Sequence, residues 1–116
     1  MKPGDLEFHQ QKEPIIEAIA TEGLRIAREN EWRGLVIEIE VAREQFPGSP
    51  AGVRCCLRSK GGEPELDEPT GTMLDEAKRL QKRFSSVGTP LAGAAIEWIE
   101  GESVGTFRGK CSYRYH

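Results

Sequence analysis

Apolar and polar residues alternate most regularly near the end of the chain, over residues 106–115. A period of two is typical of a β-strand with one buried and one wet face. With Ala94–Trp98 and a turn region at Glu100–Glu102, this segment predicts a closing β-hairpin. Its apolar face holds Phe107, Gly109, Cys111, Tyr113 and Tyr115, and its wet face holds Thr106, Arg108, Lys110, Ser112 and Arg114.

Two earlier segments also alternate, and each predicts a strand: Leu35–Val41 and Val53–Arg58. Phe46–Pro50 separates them, and its two prolines and one glycine favour a loop. The short connection makes the two strands antiparallel neighbours. Their polar positions would then bring opposite charges together across the pair: Glu38, Glu40, Arg54 and Arg58.

Two segments have helical periodicity. The first is predicted to begin at Pro14, because proline suits the first turn of a helix, and residues 1–13 are predicted to be a flexible lead-in. The second is predicted to open at Thr72, with Asp75 at capping-box spacing. The apolar stripes expected to face the core are Ile15, Ile16, Ile19, Gly23, Ile26 and Ala27, then Met73, Ala77, Leu80 and Phe84.

The order of these elements is α-β-β-α-β-β, which predicts an α+β fold. We expect a four-stranded, mostly antiparallel sheet with both helices packed on one face and the charged face in water. The length of 116 residues fits one domain, expected to span 14–116.

Charge narrows the choice of partner. The net charge of −3 and pI near 5.5 argue against free nucleic acid and favour a basic protein. The long connection from Ser59 to Gly71 concentrates acids, and long connections without regular structure are often either functional or disordered. These acids are Glu63, Glu65, Asp67 and Glu68.

No motif points to catalysis, a cofactor or a metal. The two histidines, His9 and His116, lie in the tails, and the three cysteines lack a fixed histidine partner. A carboxylate pair at Glu38 and Glu40 has no recognisable cleft beside it, so a binding protein is favoured over an enzyme. No signal peptide or membrane-spanning run is visible and no Cys-x-x-Cys pair exists, so we expect reduced thiols, a cytoplasmic location and no membrane contact.

The element order resembles small bacterial immunity proteins, including the YezG-like group and the contact-dependent growth inhibition type. The resemblance is one of pattern and spans Pro14 to Tyr115. It is carried by a helix followed by Glu31-Trp32 and a strand, a cationic helix at Leu74–Phe84, a strand containing Trp98, Gly105-Thr106-Phe107, and a closing Tyr113-Arg114-Tyr115.

This resemblance implies a cytoplasmic, non-catalytic protein that binds and neutralises a cognate toxin domain without a cofactor. Nucleases are one toxin class with a basic surface that would attract acids. Trp32 is either an interface anchor or a plug under the sheet edge. Two alternatives stay open: a homo-oligomerising module, such as a homodimer or the small subunit of an assembly, and a small-ligand binder or enzyme on the charged sheet face. The residues predicted to bind the partner are Glu63, Glu65, Asp67, Glu68, Glu38, Glu40 and Trp32.

Overall fold

The computed structural model describes residues 4–43, 52–60, 66–99 and 110–115. They form two helices and five strands. In chain order these are α1 (Leu6–Glu29), β1 (Gly34–Val41), β2 (Val53–Ser59), β3 (Leu66–Asp67), α2 (Gly71–Ser86), β4 (Leu91–Ile99) and β5 (Lys110–Tyr115).

All five strands join one antiparallel sheet in the order β3-β2-β1-β4-β5. The central strand β1 lies between β2 and β4, so that Ile37 is opposite both Leu57 and Ile96. The pairing of β4 with β5 shifts between Leu91 and Gly93, where the ladder is irregular. The strands of the predicted closing hairpin are therefore paired, while its predicted turn at Glu100–Glu102 lies outside the described residues.

The prediction of a four-stranded sheet in the order α-β-β-α-β-β is wrong. A fifth strand, β3, lies inside the acidic connection and pairs with the end of β2, so the order is α-β-β-β-α-β-β. The α+β class is correct. A strand of two residues has no alternation to detect, and only its partner in the sheet defines it.

The predicted helix start at Pro14 is also wrong. α1 begins at Leu6, eight residues earlier, and Pro14 lies inside it. An internal proline removes a backbone hydrogen bond and costs about 3 kcal/mol. Phe8 offsets part of this cost, because its ring is 1% exposed and packs edge-on against Phe84 at 5.0 Å.

α2 has the predicted apolar stripe but a different start. Its buried residues are the predicted Met73, Ala77, Leu80 and Phe84. The N-cap is Thr70, whose hydroxyl accepts a hydrogen bond from the Met73 N–H at 3.2 Å. A threonine two residues before the predicted start therefore caps the helix.

Both helices contribute to one core against the same face of the sheet. The alternation of β1 decides which face this is: Leu35, Ile37 and Ile39 are fully buried. The opposite face, called here the open face, carries the other positions of each strand. The polar and charged members of the open face are Glu38, Glu40, Arg54, Cys56, Arg58, Glu97, Ser112 and Arg114.

Candidate partner-binding surfaces

The described part of the acidic connection, which we call the acidic edge, consists of Asp67 and Glu68 and is held against the end of α1. Asp67 is opposite Leu57 in the β2–β3 pair, so it lies on the helix side of the sheet. Its Oδ2 accepts a hydrogen bond from Asn30 Nδ2 at 3.1 Å, and its Oδ1 accepts one from the Glu68 N–H at 2.8 Å. Both acids are exposed. Glu63 and Glu65 lie outside the described residues.

Further carboxylates lie on the same part of α1. Glu22 Oε2 accepts a hydrogen bond from Thr70 Oγ1 at 3.4 Å, which joins α1 to the start of α2. Arg25 forms ion pairs with Glu22 at 2.9 Å and with Glu29 at 2.8 Å. Hydrogen bonds to these two carboxylates raise the pKa of Arg25. One arginine thus faces two glutamates beside the acidic edge.

The end of α1 is a Schellman motif without glycine. Trp32 N–H donates to Ala27 O at 2.8 Å and Glu31 N–H donates to Arg28 O at 3.2 Å. Glu31 has φ 58°, the left-handed conformation that glycine normally occupies here. The strained turn places Asn30 beside Asp67 and directs the chain into β1.

Trp32 is half-buried and packs against the core. It lies where α1 leads into the central strand β1, and a hydrophobic residue is common at this position of a Schellman motif. Its ring is therefore packed in part against the core, beside the central strand and not beside an edge strand. Its predicted contact with a partner stays a prediction.

Glu38 and Glu40 lie on the open face, on the other side of the sheet from Asp67. Arg58 Nη2 is 3.2 Å from Glu38 Oε1, which is one of the opposite-charge contacts expected from the sequence. Glu40 is opposite Arg54 in the β1–β2 register. The structure therefore divides the predicted acidic site between two surfaces, and the one on the open face is balanced by arginines.

A second ion pair crosses the central strand on the open face. Lys60 follows β2, and its Nζ lies 2.8 Å from Glu97 Oε2 on β4, with β1 between them. Val36 of β1 is opposite Glu97 and is 1% exposed although it lies on the open face. Since each side chain of the pair is about a third exposed, it contributes at most about 1 kcal/mol. Two ion pairs between strands, Arg58 with Glu38 and Lys60 with Glu97, therefore balance acidic and basic side chains on the open face.

Sequence reasoning missed a cluster at the other edge of the sheet. Lys12 of α1 is 8% exposed, and its Nζ lies 4.5 Å from the centre of the Tyr113 ring. Phe84 packs against Tyr113 at 5.3 Å and against Tyr115 at 5.8 Å. A lysine among apolar helix positions gave no signal, because its aromatic partner lies about a hundred residues away in the chain.

Two of the three thiols, Cys55 and Cys111, are half-buried on the helix side of the sheet, where burial disfavours their ionised form. Burial raises the pKa of Cys55 to about 11, and it also raises the pKa of Cys111. Burial and the contact with Cys111 raise the pKa of Tyr113 as well. Cys56 is exposed on the open face. All three thiols are free, and the described residues contain no group of three histidine, cysteine or acidic side chains that could hold a metal.

No family model, curated protein or solved structure matches this chain. Of the two helices that the structure describes, neither is long and apolar enough to cross a membrane. Geometry and charge are therefore the basis for a functional proposal.

Proposed function

We propose that this protein is a non-catalytic, immunity-type protein that binds and neutralises a basic bacterial toxin domain, with nucleases as a fitting class. The observation that carries the proposal is the hydrogen bond from Asn30 to Asp67 at 3.1 Å. This bond holds the acidic edge against the end of α1, so that the exposed carboxylates of Asp67 and Glu68 have a fixed position.

A fixed group of acids suits a basic partner for a physical reason. Electrostatic attraction between opposite surfaces accelerates encounter and orients the two proteins before they touch. The negative charge for this attraction comes from the acidic edge and from Glu22 and Glu29 of α1. The positive charge of Arg25 offsets part of it. Glu38 contributes less, since Arg58 already pairs with it.

The first experiment is recovery of the partner. The tagged protein is incubated with lysate of its native cells, and bound proteins are eluted with a salt step and identified by mass spectrometry. The proposal requires a salt-labile protein with a basic domain whose purified activity is blocked by an equimolar amount of this protein. Recovery of the tagged chain alone, in cells that express a toxin, would contradict the proposal and favour a self-associating module.

The surface is tested by association kinetics with the recovered partner. Replacing both acids of the acidic edge, Asp67→Asn with Glu68→Gln, should lower the association rate constant about tenfold at low salt. A second double variant, Glu63→Gln with Glu65→Gln, removes charge from the same connection without touching the bond to Asn30.

The matched control removes two exposed acids elsewhere on α1, Glu7→Gln with Glu17→Gln. It changes the net charge equally but leaves the acidic edge intact. If the control slows association as much as the two test variants, overall charge and not this surface attracts the partner.

A further inference from the structure

Among the described residues, no strand pairs with the outer edge of β5. β5 is the last strand of the sheet and pairs with β4 on its other side. Its six residues span about 20 Å and contain no proline. A sheet edge of this length presents a row of N–H and C=O groups that can pair with an added strand.

The side chain of Arg114 points away from this edge. Arg114 is opposite Gly93 of β4. A Cβ built on Gly93 would collide with Arg114 Nη2 and lie 3.0 Å from its Cζ. The guanidinium therefore lies over β4, inward from the outer edge of β5.

The helix side of β5 provides an aromatic surface for an added strand. Cys111 and Tyr113 are half-buried against the core. Tyr115 packs on Phe84 on one side but remains 48% exposed. Apolar side chains of an added strand, directed to the helix side, would cover this exposed ring.

Charge decides the kind of strand that fits. Lys12 lies on the helix side of β5, Arg114 lies on the open face, and Lys110 begins the strand. Glu13 of α1 also lies near Tyr113, and its Oε1 is 3.1 Å from His9 Nε2. A second copy of β5 would place two cationic strands side by side, and in the antiparallel register centred on Ser112 it would set Lys110 directly opposite Arg114, which is destabilising.

We infer that the outer edge of β5 binds an extended acidic segment of a partner protein by strand addition. Carboxylates of that segment alternate with apolar residues, the former on the open face, which carries Arg114, and the latter on the helix side, which carries Tyr115. This surface lies at the opposite end of the strand order from the acidic edge and is independent of the proposed toxin-binding site.

The probe is a capped peptide of about seven residues in which glutamate alternates with valine and tyrosine. It is titrated into the isotope-labelled full-length protein at about 20 mM salt, and the amide resonances are followed by NMR. Saturable shifts centred on β5 are expected. A peptide methylated on alternate backbone nitrogens should bind at least about tenfold more weakly, because strand addition needs those N–H groups.

Charge variants complete the test. Arg114→Glu should weaken peptide binding about fivefold at this salt, and Arg114→Gln should weaken it less. Arg54→Glu, on β2 of the same open face, should change it less than about twofold. Equal binding of a lysine peptide, absence of saturable binding, or shifts confined to other strands would overturn the inference. Concentration-dependent dimerisation through β5 would also overturn it, by making a second copy the occupant.

Discussion

Replacing Glu31 by glycine should stabilise the protein. Glu31 occupies the left-handed position of the α1 Schellman motif at φ 58°, where a residue with a Cβ loses about 1–2 kcal/mol. Glycine has no such penalty but loses about 0.5–1 kcal/mol through the greater freedom of its unfolded chain. The expected net gain is about 0.5–1 kcal/mol in the free energy of unfolding.

Thermal unfolding measures this gain. An unfolding entropy of about 0.24 kcal/mol/K for 116 residues converts it to a rise in Tm of about 2–4 °C. Unfolding is followed by circular dichroism and by the fluorescence of Trp32, which follows Glu31 directly. Glu31→Ala is the control, because it removes the same charge but keeps the Cβ. An unchanged or lower Tm for Glu31→Gly, or an equal rise for Glu31→Ala, would refute the assignment of strain to this residue.

The remaining predictions concern the thiols and one close backbone contact. Burial raises the pKa of Cys55 from 9.0 to about 11. As the pH rises, the thiol therefore ionises in the unfolded protein before it does so in the folded one. The stability that is present below pH 9 should then fall as the pH approaches 11. The free energy of unfolding should fall by about 1–2 kcal/mol over this range, after allowance for partial exposure. Urea unfolding of Cys55→Ala should show a smaller fall. An equal fall would exclude Cys55 as the cause. At pH 8, iodoacetamide should label Cys56 well before Cys55 and Cys111, as peptide mass spectrometry can establish, and simultaneous labelling would show that the apolar face opens. Gly34→Ala should cost about 2 kcal/mol or more in urea unfolding, because the new Cβ would collide with the Lys60 carbonyl oxygen, and a neutral result would mean that this end of β1 relaxes freely.

The regular strands and the core stripe of α2 were predictable because their signal is local. In β1, Leu35, Ile37 and Ile39 alternate with residues of the open face, and the alternation alone indicates which of them the core contains. The contact of Glu38 with Arg58 followed from the same pattern once the two strands were taken as neighbours.

The candidate sites were only partly predictable. The sequence identified the acids but placed those of β1 and those of the long connection on one surface. The sheet separates them, because Asp67 shares a face with Leu57 and Glu38 lies on the other face. Which face a residue occupies in a two-residue strand depends on the register with its partner, and the register is a tertiary property.

By itself the sequence determined the periodicities, and with them the four longer strands, the buried stripe of α2 and the concentration of acids between the sheet and α2. Only the tertiary structure decided the start of α1, the short strand β3 and the burial of Lys12. Each of these depends on a partner in another element: Phe84 for Phe8, Arg58 for Leu66 and Tyr113 for Lys12. Contacts between residues far apart in the chain can outweigh a proline inside a helix or a lysine in an apolar stripe, and local patterns do not contain them.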